Sequence, residues 1–258
     1  MRLDCYLATN GYTDSRERAK RLILSGAVTV DGRVADKPAM EVTGEPVIDV
    51  TEEEFVGRGG EKLKAALSLF DVDPTGLRAL DVGASTGGFT QCLLERGARA
   101  VVALDAGCDQ LHPKLRADAR VTNVEKYNAR ELKEQDVGRF DLVVMDVSFI
   151  SATYILPRFP DVLLAGGRAI VLIKPQFEAG RGALNKKGIV KDPRDRIFAI
   201  SRVLSSAREV GLVCRGLAPS PIRGGDGNEE YLAYFALDGE GIAELSIEKV
   251  VLEGKVST

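Results

Sequence analysis

From residue 79 onward the chain alternates strand-like and helix-like segments, and that order limits the folds open to it more than any single motif does. FDLVVMDV (140–147) and RAIVLIK (168–174) are continuous apolar runs, the pattern of parallel strands buried on both faces. Further strands are expected at 79–83, 99–105, 120–124, 212–218 and 230–237. Helices are expected at 88–96, near 109–117 and from Asp195 to Val210, with a glycine-rich loop at 223–228. One more helix, from Glu61 to Phe70, precedes them, because Leu63, Ala66, Leu67 and Phe70 share a face at helical spacing. Alternation of this type predicts an α/β domain with a doubly wound, mostly parallel sheet.

Upstream the pattern differs. TDSRERAKRLILSG reads as a helix capped by Asp14 or Ser15 and closed by Gly26, with Ala19, Leu22 and Ile23 on its apolar side. A hairpin follows, since Val28, Val30 and Val34 flank Asp31-Gly32, a strong tight-turn signal. The other face of the helix carries Arg16, Arg18, Lys20 and Arg21, and Arg33 and Lys37 lie at or after the turn. A short acidic stretch, Thr51-Glu52-Glu53-Glu54, marks the expected boundary between a small α+β domain at 1–54 and a larger one at 55–258.

The 258 residues, 45% apolar and 28% charged, suit a globular chain and not an extensively disordered one. No stretch reaches the roughly 20 apolar residues a spanning helix needs. The opening MRLDCYL lacks the apolar core of a secretory signal, so the cytoplasm is the expected compartment. Cys5, Cys92, Cys108 and Cys214 are scattered without CxxC spacing, which points to neither a metal site nor a disulfide framework. A formal net charge of −3 gives no global nucleic-acid footprint, so any RNA contact must come from a local basic surface.

Leu80-Asp81-Val82-Gly83-Ala84-Ser85-Thr86-Gly87-Gly88-Phe89 is a strand running into a glycine-rich turn and then a helix. Glycines permit close approach to the backbone, and a helix start offers free N–H donors to an anionic group. Asp105, ending the next strand 22 residues after Gly83, is placed to accept hydrogen bonds from ribose hydroxyls. The spacing is GxxxGG behind Asp81, which suits a methionine-bearing adenosine better than a pyrophosphate. The plain alternative is a tight strand–helix turn with no ligand.

These residues resemble the TlyA-type ribosomal RNA 2'-O-methyltransferases, related to the FtsJ methyltransferases, and the resemblance spans nearly the whole chain. RLDCYL, which contains Arg2, SRERAKRLILSGAVTVDG and Lys37-Pro38 look like the ribosomal-protein-S-four-type RNA-binding module. RGGEKL, DVGASTGGFT, DVSFIS, LIKPQFE, KGIVKD and GNEEY look like the family's methyltransferase segments. The resemblance implies a Rossmann-like class I methyltransferase fold, S-adenosyl-L-methionine as cofactor, no metal, and cytidines of ribosomal RNA in ribosomal subunits as targets. It implies that Lys62, Asp146, Lys174 and Glu230 surround the target hydroxyl. It further implies that Asp81, Gly83, Ala84, Ser85, Thr86, Gly87, Gly88, Phe89, Asp105, Asn128 and Asp146 hold the cofactor, and that Arg2, Arg16, Arg18, Lys20, Arg21, Arg33 and Lys37 contact RNA.

Topology supports part of that set. Asp146 and Lys174 end buried parallel strands, so both project at the carboxyl edge, where ligands of such sheets bind. Glu230 starts the last strand at the same edge if that strand runs antiparallel, although Glu229 beside it leaves a one-residue ambiguity. Lys174 is the candidate for accepting or steering the hydroxyl proton, with Asp146 and Glu230 orienting the lysines and the substrate. Taken singly, Lys174 could be a solvated edge charge and Asp146 a helix cap. Phe149, Pro175, Phe177 and Tyr231 adjoin this edge, as stacking partners for a base or, for any one of them, as core. Glu125, Lys126, Tyr127 and Asn128 are candidates for the adenine pocket, although the family carries a smaller residue where Tyr127 stands. His112, the only histidine, is expected to be structural or cofactor-adjacent.

Two other classes compete with an RNA methyltransferase. TlyA-like proteins have also been called haemolysins, which implies membrane activity, yet no long basic amphipathic stretch supports it. A non-catalytic RNA-binding factor would leave the glycine turn and the Lys-Asp-Lys-Glu set without a use.

Overall fold

The computed structural model describes residues 1–258 except 14, 25, 51–54, 225–226, 238–240, 242–246 and 258, and apart from the side chain of Arg21. Asp14, Thr51 to Glu54, part of the glycine-rich loop and the Arg21 side chain therefore lie outside the described residues. The chain divides into two compact units, Met1–Glu54 and Phe55–Thr258.

The first unit packs two helices, α1 (Leu3–Thr9) and α2 (Arg16–Leu24), with a three-stranded antiparallel sheet of β1 (Val28–Val30), β2 (Arg33–Val34) and β3 (Ile48–Val50) in the order β2-β1-β3. The Ser15 Oγ accepts from the Arg18 N–H at 3.2 Å, so Ser15 caps α2. Asp31 and Gly32 both hold positive φ, 51° and 75°, as a two-residue hairpin turn requires. Leu3, Leu7, Ala19, Leu22, Ile23, Val28 and Val30 form its core. Asp4 is fully buried and takes guanidinium bonds from Arg2 and Arg16, each at 3.0 Å. Its hydrogen bond from Arg2 holds the carboxyl well below the usual carboxylate range.

The second unit opens with α3 (Gly59–Leu69), β4 (Arg78–Val82), α4 (Gly88–Glu95), β5 (Ala100–Leu104), α5 (Pro113–Arg116), β6 (Val121–Val124) and α6 (Glu134–Val137). It continues with β7 (Phe140–Met145), α7 (Phe159–Val162), β8 (Leu163–Ile173), α8 (Pro175–Glu178), α9 (Pro193–Glu209), β9 (Val213–Pro219), β10 (Tyr231–Ala236) and α10 (Ile247–Glu253). The sheet order is β6-β5-β4-β7-β8-β10-β9. Strands β4 to β8 pair in parallel, whereas β10 runs antiparallel to both β8 and β9. The expected doubly wound, mostly parallel sheet is the one found.

Strand alternation assigns each side chain to a face. Val143, Met145, Ala169, Val171, Ile173, Tyr231, Ala233 and Phe235 lie in the layer with α9 residues Ile200, Val203 and Ala207. Ala79, Leu142, Val144, Ile170, Leu172 and Leu232 lie in the opposite layer with Leu63 and Leu67 of α3 and Phe89 and Leu93 of α4. Each fully buried side chain of Val, Leu, Ile or Phe size contributes about 1.5–3 kcal/mol of hydrophobic stabilisation. Counting on by two from Ala79, Val144 and Leu172 puts Asp81, Asp146 and Lys174 on the α3–α4 side. Counting back by two from Leu232 puts Glu230 there as well.

Several boundaries differ from the sequence expectation. Strand β8 begins at Leu163, five residues before the expected 168, and continues through Gly166, whose φ is 73°. Helix α9 begins at Pro193, where the Asp192 side chain accepts from the Arg194 N–H. The helix expected near 109–117 is confined to Pro113–Arg116. Helices α1, α6, α7, α8 and α10 and strand β3 have no counterpart in the sequence expectation.

Candidate active site

The carboxyl edge of the parallel strands carries the chemistry. Strand register pairs Tyr231 with Ile173, so its continuation by one residue sets Glu230 across from Lys174. The Asp146 N–H donates to the Val82 carbonyl at 3.0 Å, which brings Asp146 beside Gly83. Lys174 Nζ contacts Asp146 Oδ1 at 2.7 Å and donates to Ser148 Oγ at 2.7 Å. Lys62, reaching from α3, donates to Glu230 Oε2 at 2.6 Å, with both side chains almost wholly buried. A Cβ added at Gly59, three residues before Lys62, would stand 3.6 Å from Asp146 Oδ2. All four residues named from the sequence are thus at one edge on one face, as two ion pairs. Ser148, which fixes the lysine, was not anticipated from the sequence; its position two residues after Asp146 was the available signal.

The Glu229–Glu230 ambiguity is resolved by direction. Glu230 is buried against Lys62, while Glu229 pairs with Arg196 and with Arg223, the latter at 3.2 Å. Gly224 packs against the Glu230 carboxylate so closely that a Cβ there would lie 2.5 Å from Oε1.

The glycine-rich turn is built from left-handed backbone: φ is 84° at Gly83, 49° at Ser85 and 99° at Gly87. Its glycines have a packing reason that the sequence did not show. A Cβ at Gly83 would lie 2.7 Å from the Asp146 carbonyl oxygen, and one at Gly88 would lie 2.8 Å from both the Gly57 oxygen and the Gly60 nitrogen. Those glycines therefore admit neighbouring backbone of the protein. Phe89 and Ala84 are buried with the α3–α4 layer, so Phe89 anchors α4 from beneath. Thr86 is half-buried beside Gly57, and its carbonyl accepts from the His112 N–H at 3.1 Å. His112 caps α5 through Nδ1, which accepts from the Lys114 N–H, and so has a structural role next to the turn.

Asp105 braces this turn, accepting from the Ser85 N–H at 2.8 Å and the Gly107 N–H at 2.7 Å. Each oxygen keeps a second lone pair for a diol. Asn128 is exposed and caps the turn at Arg130, and Tyr127 donates to Asp136 Oδ2 at 2.5 Å. Glu125 pairs with Arg116 at 2.6 Å. Among the described residues no group of three His, Cys, Asp or Glu could hold a metal ion.

Asp81 lies beneath the turn, fully buried, with Thr90 Oγ1 donating to Oδ2 at 2.7 Å and no partner for Oδ1 among the described residues. Burial pushes its carboxyl up to about 7, and the Asp146 carboxylate adds to the shift. The folded chain then keeps a proton that an unfolded chain loses near 3.8, so stability from this group is full below that value and falls as pH rises to about 7. The stability of Asp81→Asn relative to the unsubstituted protein should therefore climb between about pH 4 and pH 7 and level off above. Denaturant melts across that range measure it; a difference that does not vary with pH would refute the buried proton.

Beyond Asp146 the chain turns through Phe149, whose φ is 65° and whose ring is 92% exposed. Core packing, the commoner role for a phenylalanine, is thereby ruled out for it. Its ring lies 5.4 Å from that of Phe177, and the two border a cavity of about 380 Å³ also lined by Arg130, Ser151, Tyr154 and Arg202. Under it, Glu178 is buried and accepts from Ser151 Oγ at 2.5 Å and the Ala152 N–H at 2.7 Å. Burial raises the pKa of its carboxyl. Tyr231 and Pro175, by contrast, are buried.

Comparison with known proteins gives the same fold. Residues 55–237 match the model of the FtsJ-like methyltransferase family, and residues 1–48 match the S4 domain. The 16S/23S rRNA (cytidine-2'-O)-methyltransferase TlyA of Mycobacterium tuberculosis is 40% identical, over 98% of this chain and 98% of its own. Hemolysin A of Brachyspira hyodysenteriae is 41% identical, over 92% of this chain and all of its own. A solved structure from Streptococcus thermophilus, whose description also carries the word hemolysin, superposes with a TM-score of 0.80 at 37% identity, covering 98% of this chain and 95% of that one.

Proposed function

The chain belongs to the FtsJ-like methyltransferase family, and from that premise we propose that it transfers a methyl group from S-adenosyl-L-methionine to a ribose 2'-hydroxyl of ribosomal RNA, at cytidine. The observation that carries this reading is the pairing of Lys174 with Asp146 and of Lys62 with Glu230 on one face of the sheet edge. A hydroxyl is a poor nucleophile, so a site for it needs a group to orient the oxygen and take its proton, and such charged pairs provide both.

The residues present fit the cofactor. The turn from Asp81 to Gly88 leads into the N–H groups that start α4, which suit a carboxylate, and Asp105 retains lone pairs for a ribose diol. When bound, S-adenosylmethionine supplies an electrophilic methyl group on a sulfonium. Lys174 donates to Ser148 and forms an ion pair with Asp146, which together hold its ammonium at the edge proposed for the substrate oxygen. Transfer of the methyl carbon to the hydroxyl oxygen would break its bond to sulfur, the electron pair staying on a neutral thioether, and within the Lys174–Asp146 pair the Asp146 carboxylate would take the hydroxyl proton while the Lys174 ammonium orients the oxygen. Lys62 and Glu230 form the wall beside it.

For the RNA half, the exposed Arg33 and Lys37 and the α2 residues Arg18 and Lys20 are the basic surface of the S4-like unit. Arg2 and Arg16 are engaged with Asp4 and serve that unit's internal structure as well. The same reading places the protein in the cytoplasm with the ribosome. As for the hemolysin name of some relatives, no helix among the described residues is long and apolar enough to cross a membrane.

Phe149 is the stacking surface for the target base, since a bare ring on left-handed backbone is a costly arrangement unless it is used. Stacking of one base on an aromatic ring contributes about 1–3 kcal/mol. Phe149→Ala should accordingly lower kcat/KM for RNA by about 5- to 100-fold with cofactor affinity unchanged; wild-type kinetics from that variant would exclude the ring from base binding. The reading as a whole is tested by incubating the protein with purified ribosomal subunits and labelled S-adenosylmethionine and mapping the product. Label on a base nitrogen or carbon, or no label, would reject it.

A further inference from the structure

We infer that the turn at 180–191 is a phosphate-binding arm that holds the RNA backbone beside the reacting ribose; this rests on the proposed RNA substrate. Residues 181–196 contain six cations, Arg181, Lys186, Lys187, Lys191, Arg194 and Arg196, against two carboxylates, Asp192 and Asp195, in a chain whose net charge is −3. Two of the nearby acids, Asp192 and Glu229, are already answered by arginine. Asp192 pairs with Arg194 at 2.8 Å, and Glu229 pairs with Arg196 and Arg223. Lys186, Lys187 and Lys191 are exposed, and among the described residues they form no ion pair. Their charge is uncompensated and turned to solvent.

The turn is a built structure. Leu184 bridges to Val190, and the Asn185 side chain accepts from the N–H groups of Lys187 at 2.8 Å and Ile189 at 3.0 Å. That fixes the backbone that carries the two tip lysines. It is also tied to the active site. Asn228, 1% exposed and two residues before Glu230, accepts from the Val190 N–H at 3.0 Å and donates from Nδ2 to the Gly188 carbonyl at 3.0 Å. One buried amide thus joins the base of the lysine turn to the segment that carries Glu230. A polymer whose ribose lies at Lys174 has phosphates on both sides of that ribose, and a group of ammonium charges on a backbone tied to the site matches them.

The test is the salt dependence of binding between the full-length protein and ribosomal RNA, a measurement that does not require methyl transfer. Replacing Lys186, Lys187 and Lys191 together with alanine should weaken binding roughly tenfold at low salt and reduce the slope of log K against log salt by about two to three. The double variant Lys249→Ala with Lys255→Ala, on and after α10, should keep the original slope. A wild-type slope in the triple variant overturns the arm, as does an equal loss of slope in the control. If the protein binds RNA with the predicted slopes but transfers no methyl group to it, the arm stands and the proposed reaction falls.

Discussion

Replacing Lys174 with alanine is expected to lower methyl transfer to RNA by about 10²–10⁴-fold while the protein stays folded and binds S-adenosylmethionine as before. The size follows from position. Lys174 Nζ is held by Asp146 and Ser148 at 2.7 Å each, so on the proposed reading its removal takes away the group that orients the substrate oxygen and leaves Asp146 without its partner. Stability should change far less, because Asp146 is partly exposed and can be hydrated once its partner is gone. Single-turnover transfer with saturating RNA and cofactor is the measurement. Transfer within tenfold of wild type would remove Lys174 from the chemistry and leave it a strand-end charge.

Glu230→Ala should act first on stability, lowering it by about 3–5 kcal/mol, because it strands the Lys62 ammonium in the interior. The Lys62 and Glu230 side chains are only 7% and 3% exposed, so water cannot take the place of the lost partner. The double variant Lys62→Met with Glu230→Leu should recover most of that stability, since a well-packed apolar pair replaces a buried ion pair at little cost. It should not recover methyl transfer. Urea unfolding of the three proteins beside their transfer rates separates these effects. A Glu230→Ala protein as stable as wild type would mean that Lys62 finds another partner or solvent.

The sheet was readable because its strands are nearly uniform apolar runs, and FDLVVMDV and RAIVLIK can be little else than buried strands. The elements that escaped are those without a local signal. Strand β3 has three residues and pairs with β1 across a long connection, so only tertiary contact creates it. The start of α9 was readable in principle, since Asp192 followed by Pro193 is a helix-start pattern. The early start of β8 was hidden by Gly166-Gly167, which resemble a turn.

At the site, the Lys-Asp-Lys-Glu set came from resemblance, and its meeting at one edge came from topology. What sequence reasoning missed was a second reason for the glycines of the turn. Beside access for a ligand, the space where a side chain would stand at Gly83, Gly87 and Gly88 is taken by Asp146, by Leu111 and Leu115, and by Gly57 and Gly60. These contacts are long-range and leave no trace in spacing. Phe149 stayed open between stacking and core, because a phenylalanine next to a strand looks like core until its exposure is known.

Strand alternation has one more consequence. Asp146, Lys174 and Glu230 face α3 only because each stands an even number of residues from an apolar neighbour that does, Val144, Leu172 and Leu232. The site is therefore indexed by counting. Losing or gaining one residue inside β7, β8 or β10 turns the corresponding charge toward the α9 layer, even though every amino-acid type is retained. Along these strands the reading frame of the pleat constrains chain length more tightly than chemistry constrains the individual apolar residues, whereas the loops that leave the opposite edge are free to vary in length.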